Sequence, residues 1–397
     1  MTATKTAGMV TFYCFIFAKP APVWCNRPNF LEQEVGPGIR RMSSTGALCL
    51  TLEKLEMKKT LVAIAALAAV GAAFAQSSVT LYGRIDASLG NVTTKVGGVT
   101  VSDPGAMIRS GAHTGSRWGL KGSEDLGGGL KANFVLEQGF NIDDGTASAA
   151  ARQFHRQAFV GLSGGFGRVD IGRQYDITDN MYGLYDPFGY SGYSPMGYAF
   201  NVGCGTGGSG DCIGRQDNTV MYTTPAMGGL GISAMWAPGE DKTPASSAGN
   251  VVGIMANYGN GPLGVGVGYQ SNKASGGRAR TDFNFGASYD LGMAKLFVQL
   301  ENGKNKNTVG TGKDSGYALG AVLPMGAASL TVGYSAEKQK IAGTKVSDAK
   351  SFALMGKYDL SKRTYVYAAY QRGETDPTGP NNTAKTTKYG LGLVHNF

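Results

Sequence analysis

Long apolar runs are missing from this sequence. No window offers the roughly 20 consecutive apolar residues that a membrane-spanning helix requires; the nearest approach is LVAIAALAAVG, Leu61–Gly71. Charge is also sparse, at 16% of 397 residues, and no Lys/Arg cluster or basic-aromatic motif stands out, which speaks against a nucleic-acid partner. Histidine is reduced to His113, His155 and His395. Of five cysteines, Cys14, Cys25 and Cys49 precede residue 76, leaving Cys204 and Cys212 with GTGGSGD between them. Two sulfurs with no neighbouring histidine are too few for zinc. The stretch GTGKDS departs from a phosphate loop, because Asn307 stands at the first glycine position and Asp314 where Ser or Thr is required; it reads as an exposed loop tip. No metal and no cofactor is expected.

The one apolar segment has the flanks of an export signal. Met57-Lys58-Lys59 forms a positive start and Ala73-Phe74-Ala75 a small-x-small cleavage site, so residues 57–75 read as a signal peptide for the Sec route and Gln76 as the first residue after cleavage. Residues 1–56 carry Pro, Cys and mixed charge without periodicity, and are expected to be an upstream extension from a start site assigned too early. Of 37 Lys+Arg and 28 Asp+Glu, residues 1–75 take 8 and 4, leaving 29 and 24, a net of +5. In an oxidising exported compartment Cys204 and Cys212 are expected to form one loop disulfide.

What remains alternates with period two. In SVTLYGRIDASLG, Val79, Leu81, Gly83, Ile85, Ala87 and Leu89 share one face, and Thr80, Tyr82, Arg84, Asp86 and Ser88 the other. Segments of about ten residues repeat the pattern down to YGLGLVHNF, where Tyr389, Leu391, Leu393, His395 and Phe397 form one stripe. Sixteen such segments can be counted over residues 76–397, the one around Tyr365 being apolar in both phases. Short turns such as EDLGGG (124–129) are interleaved with long polar loops such as ENGKNKNTVGTGKDS (301–315) and QRGETDPTGPNNTAK (371–385). A soluble β-sandwich also alternates, but uniform strands, alternating loop lengths and an export signal favour a bilayer, where only closure into a barrel satisfies every backbone group. The fold class is therefore all-β, a sixteen-stranded antiparallel transmembrane β-barrel.

The stretches SSVTLYGRIDASLG, SRWGLKGSEDLGGGL, RQAFVGLSGGFGRVDIGRQYD, RQDNTVMYTTP and LGLVHNF, taken in order, resemble the trimeric general porins of betaproteobacterial outer membranes. That resemblance implies a homotrimer in the outer membrane, a third loop folded into each lumen, and passive diffusion of small hydrophilic solutes. It also implies that the stripe ending in Phe397 is read by the outer-membrane assembly machinery.

The longest connection, between Gly172 and Gly214, contains YDITDNMYGLYDPFGYSGYSPMGYAFNVG and should fold against something. Its acids Asp176, Asp179 and Asp186 are expected to face wall bases Arg84, Arg117, Arg156 and Arg215 across a water-filled gap, as charged rings that set ion selectivity. Arg117, Arg156 and Arg215 match the family's basic cluster, and, after Tyr185, Asp186-Pro187-Phe188-Gly189 resembles its inserted-loop motif, with Asp before Pro and an aromatic after it where relatives place Glu. Arg173 falls in the lipid-facing phase of Val169 and Ile171 unless the strand ends or bulges there. Six inward bases, the four arginines with Lys121 and Lys131, against Asp86, Glu137, Asp217 and Asp282 predict anion preference. The other readings are a substrate-specific outer-membrane channel, and a barrel adhesin, which would show a plugged lumen and unusually long outer loops. An outer-membrane hydrolase fares poorly, since a Ser-His-Asp set would have to assemble across the barrel mouth.

Overall fold

Alternation over whole strands leaves each one with a wet face and an oily face, and the molecule arranges them so that the polar face is inside. The computed structural model describes residues 78–149, 151–200, 214–239, 242–243, 246–247, 249–273, 279–307, 310–378 and 382–397; the export signal, the upstream segment and the Cys204/Cys212 pair lie outside these. Sixteen wall strands follow one another. The first eight are β1 (Ser78–Val96), β2 (Arg117–Gly127), β3 (Leu130–Gly139), β4 (Gln157–Gly164), β5 (Gly167–Tyr175), β6 (Arg215–Thr223), β7 (Leu230–Ala237) and β8 (Val251–Asn260). The second eight are β9 (Leu263–Lys273), β10 (Ala279–Asp290), β11 (Lys295–Asn307), β12 (Gly310–Met325), β13 (Ala328–Ile341), β14 (Thr344–Asp359), β15 (Thr364–Pro377) and β16 (Ala384–Asn396). Each pairs antiparallel with the next. The wall closes where β1 pairs with β16 from Arg84–Asn396 to Val96–Ala384.

Burial runs opposite to that of a soluble protein. Asp86, Gln270, Asn284 and Gln299 are fully buried on the inner face, whereas Val79, Leu81, Ile254, Leu319 and Leu391 stand more than half exposed outside. The start of β1 and the end of β16 both lie at the rim of the short turns, as an even strand number requires. The C-terminus is stitched to the first strand: Gly83 and Phe397 exchange backbone N–H···O bonds of 3.0 Å each. A Cβ on Gly83 would overlap the Phe397 ring, so only glycine lets that ring lie flat on β1. Gly83→Val is expected to lift Phe397, cost about 1–3 kcal/mol, and lower the yield of the heat-modifiable folded band after refolding; an unchanged yield would contradict this seating.

Two expectations about connections need correcting. Residues 301–315 and 371–385 are mostly wall, with β11 running to Asn307, β12 starting at Gly310, β15 running to Pro377 and β16 starting at Ala384. The GTGKDS stretch, residues 310–315, accordingly lies within β12 and is no loop tip. Above the bilayer both faces of a strand meet water, so hydrogen-bonded hairpins continue there with no apolar phase to mark them. The segment between β1 and β2 also departs from a simple loop. Its pieces Val99–Ser102 and Met107–Ser110 continue the wall beside β1, and residues 111–116 turn inward, where Asp86 Oδ2 accepts from His113 N (2.8 Å) and Thr114 N (2.7 Å).

Candidate functional site

The third long connection enters the lumen over residues 176–200. It starts where Asp176, in extended backbone, caps helix α1 (Ile177–Tyr185) by accepting from Asp179 N at 2.8 Å. Gln270 on β9 completes the anchor: its Oε1 accepts from Ile177 N (3.0 Å) and its Nε2 donates to Asp176 Oδ2 (3.3 Å). A second short helix, α2 (Pro195–Ala199), is held from the opposite wall, where Ser335 Oγ donates to Pro195 O (2.6 Å) and Gln371 Nε2 to Ser194 O (2.8 Å).

The wall receives this loop on glycines. A Cβ on Gly253 would come within 2.6 Å of Ile177 Cγ1, on Gly268 within 2.8 Å of Met181 Cγ, and on Gly266 within 2.6 Å of Tyr185 Oη. Farther round, a Cβ on Gly320 would overlap Pro187, and one on Gly333 would lie 2.7 Å from Phe188 Cε2. The repeated glycines of GVGVGY are thus the inner-face slots for α1. Ile177, Met181, Phe188, Tyr193 and Met196 are each at most 2% exposed, and such burial is worth about 1.5–3 kcal/mol per side chain, which offsets the ordering of the loop.

The loop's acids turn inward on the loop itself. Asp186 Oδ1 and Oδ2 accept from Phe188 N (3.0 Å) and Tyr190 N (2.7 Å), stabilising a turn in which Gly189 and Tyr190 take φ of +63° and +58°. Asp176, Asp179 and Asp186 are at most 6% exposed. The expected row of loop carboxylates facing the bases across open water is therefore not what the structure builds; only Asp179, which accepts from Tyr190, feels the charges of Arg215 and Arg156. Burial pushes Asp176 up to about 7, Asp179 up to about 6 and Asp186 up to about 6.

The wall bases do converge. Glu137 Oε1 accepts from Arg156 Nε at 2.8 Å, and its Oε2 lies 3.4 Å from Arg117 Nε and accepts from Tyr82 Oη at 3.1 Å. Tyr175 Oη accepts from Nη2 of both Arg156 (2.8 Å) and Arg215 (2.6 Å), with the Arg215 guanidinium 4.2 Å above the Tyr175 ring. Arg84 reaches Thr114 Oγ1 at 2.9 Å and lies within electrostatic range of Arg117. Arg117 and Arg156 thus share one carboxylate, Arg215 joins them through the Tyr175 hydroxyl, and Arg84 lies within reach of Arg117. Glu137 was readable as an inward acid, but its role as shared acceptor was not, and Tyr175 was missed altogether; its place at the strand end beside the loop acids is the only signal the sequence offers.

Arg173 resolves by a bulge. The register between β5 and β6 slips between Gly172 and Gln174, Gly172 adopts φ +135°, and Arg173 swings to Asp217 Oδ1 (2.6 Å) and His155 O (2.6 Å). Asp217 is also paired with Arg152 at 2.5 Å, so it does not offset the main cluster. Behind α1, Arg280 is enclosed by Asp282 (2.6 Å), Asp314 (2.9 Å) and Glu301 (3.4 Å). The terminal stripe keeps Tyr389, Leu391, Leu393 and Phe397 exposed on the outer wall, with His395 Nδ1 2.9 Å from Thr364 Oγ1.

The titration of the loop gives a prediction. Carboxyls raised above the ordinary value of about 4 favour the docked loop in their neutral form. That stabilisation is complete below about pH 4 and is lost as pH rises through 6 to 7. Current noise is expected to grow from pH 5 to pH 8, and anion preference to fall as Asp179 ionises beside Arg156 and Arg215. Asp179→Asn should flatten the selectivity change; a pH step as large as in the unmodified channel would contradict it.

A family model described as Gram-negative porin matches residues 60–378. The chain is 40% identical over 319 residues to outer membrane porin protein 32 of Delftia acidovorans, across 78% of this chain and 88% of that one. It is 36% identical to an outer membrane porin protein of Bordetella pertussis, across 86% of this chain and 100% of that one. Among solved structures, an anion-selective porin from Comamonas acidovorans superposes with a TM-score of 0.71 at 32% identity, covering 81% of this chain and 100% of that one. With its closed sixteen-strand wall, its loop docked in the lumen and these matches over most of its length, the chain belongs to the Gram-negative porin family.

Proposed function

We propose that this outer-membrane porin is an anion-preferring channel for passive diffusion of small hydrophilic solutes, working as a homotrimer. The observation that carries the preference is the group of Arg84, Arg117, Arg156 and Arg215, in which Glu137 pairs with Arg117 and Arg156 while the loop acids opposite are buried. In this reading the arginines form the filter, and Tyr185, Pro187 and Phe188 hold the loop that narrows the lumen. The chain reaches the outer membrane after loss of residues 57–75, with the outward stripe ending in Phe397 recognised by the assembly machinery.

The test is reversal potential across a salt gradient in planar bilayers. Anion preference in dilute salt that fades in concentrated salt is expected; cation preference would overturn the reading. Block of conductance by a trace of one sugar, phosphate or peptide would favour a substrate-specific channel instead.

Cys204 and Cys212 are proposed to be joined, restricting the unfolded chain by roughly 2–3 kcal/mol. Mass spectrometry of non-reduced peptides should find the linked pair; two free thiols would refute it. Reduction should raise channel noise more than it unfolds the wall, because the bond ties only the loop's base.

A further inference from the structure

The loop in the lumen shows almost no charge to the water it confines. From Asp176 to Phe200 it contains no Lys or Arg, and its three acids are buried in the helix cap and the turn. Six of these residues are exposed, and four of the six are the glycines Gly183, Gly189, Gly192 and Gly197. The other two are Leu184, 48% exposed, and Tyr190, 45% exposed. The wet surface of the loop is therefore bare backbone carrying two apolar side chains.

Helix geometry sets the direction in which they face. Ile177, Met181 and Tyr185 lie one turn apart on the stripe seated against the wall glycines, so Asn180, Gly183 and Leu184 fall on the opposite stripe, toward the lumen. A Cβ added at Gly183 or Gly189 would meet nothing within 4 Å, so the space beside both is open. Tyr190 folds back along α1, with its ring centroid 6.0 Å from that of Tyr182 and its hydroxyl donating to Asp179, which leaves the ring itself to line the lumen.

This apolar surface begins beside the arginines. Tyr175, whose hydroxyl binds Arg156 and Arg215, accepts at its carbonyl from Asn180 Nδ2 at 3.4 Å. Leu184 stands one turn beyond Asn180, about 6 Å along the helix, and the charge of Arg215 is felt at Tyr190. An inorganic anion can use only the guanidinium groups, and a second carboxylate on a solute would find no base on the loop. A solute with one carboxylate and an apolar body can use both surfaces together.

We propose that the constriction selects small monocarboxylates that carry an apolar body, aromatic ones above all, with the carboxylate on Arg156 and Arg215 and the ring against Leu184 and Tyr190. The assignment rests on the anion preference proposed above and adds to it the class of solute that binds best.

The test uses the full chain in planar bilayers with potassium chloride, and reads block of the chloride current by sodium benzoate and by sodium pyroglutamate, a polar ring carboxylate of equal charge and similar size. Benzoate should reach half-block at about tenfold lower concentration, which corresponds to roughly 55 Å² of apolar surface withdrawn from water. Leu184→Ser should shrink that ratio to about threefold, and Leu184→Ser/Tyr190→Asn, with an asparagine that tolerates the positive φ, should bring it near one. Equal block by the two anions in the unmodified channel, or the original ratio in the double variant, overturns the assignment while chloride preference in the same recordings leaves the ion-preference reading standing. Cation preference in potassium chloride alone overturns both. The series acetate, butyrate and hexanoate on the unmodified channel does not depend on a variant folding. Block should strengthen by about twofold per added methylene, half the weight of a fully buried one; block independent of chain length overturns the assignment.

Discussion

Alanine at Arg117, Arg156 and Arg215 together is expected to abolish anion preference. Arg117 and Arg156 meet one carboxylate at Glu137, and Arg215 is tied to Arg156 through the Tyr175 hydroxyl, so removing the three leaves Arg84 and Glu137 to cancel. At roughly 6 Å in water a unit charge is worth about 0.7 kcal/mol to a passing ion. That is about threefold in local concentration, upward for the anion and downward for the cation, before screening. The unmodified channel should therefore favour anions by about tenfold or more at 0.1 M salt, where charges are felt over about 10 Å, and by little at 1 M, where that length is about 3 Å. The triple variant should show a ratio near or below about one at both concentrations. Arg156→Ala alone should give an intermediate value, whereas Arg156→Lys should keep most of the preference, since charge rather than the guanidinium fork acts on a mobile ion. A triple variant with the original reversal potential would mean that the filter lies elsewhere.

The design places charge and shape on different elements. In the proposed function the wall sets selectivity, through Arg117 and Arg215 on β2 and β6 and Arg156 at the entry to β4. The narrowing comes from a loop whose own acids are consumed in holding its turn and its helix cap. Tyr175 joins the two, since its hydroxyl fixes Arg156 and Arg215 one residue before the loop departs.

That division explains what could be read in the sequence. Alternation in SVTLYGRIDASLG and YGLGLVHNF reports which side of a strand meets lipid, so the wall, its closure and the inward phase of Arg84 and Arg117 were legible. Phase says nothing about what an inward side chain touches. Asp176 and Asp186 read as pore-facing acids, yet local backbone N–H groups capture them. The segment around Tyr365 was apolar in both phases because Tyr365 and Tyr367 support the inward turn at His113, with ring centroids 5.9 and 5.1 Å from its imidazole. Arg173 depended on a bulge that Gly172 permits, which alternation alone cannot locate. Inner-face glycines such as Gly266 and Gly286 were visible, but their purpose needed the loop in place.

Those glycines give the sharpest test of the docked loop. At Gly286 an added Cβ would overlap the Tyr185 ring and come within 2.9 Å of Tyr185 Cβ. Rotating the ring cannot relieve a clash with the tyrosine's own Cβ, so α1 must move off β10 as a unit. Gly286→Val is expected to push the helix toward the lumen axis, lower single-channel conductance severalfold and add flicker, while the heat-modifiable barrel still forms; the overpacking costs about 1–3 kcal/mol. Tyr185→Gly alone opens a void and should loosen the loop with little loss of current. Combining Gly286→Val with Tyr185→Gly removes both the ring and the Cβ that clash, so the double variant should regain most of the conductance, with a coupling of roughly 1–3 kcal/mol between residues that touch. Independent effects that simply add, or a Gly286→Val channel of normal conductance, would mean that Tyr185 does not hold the loop on the wall.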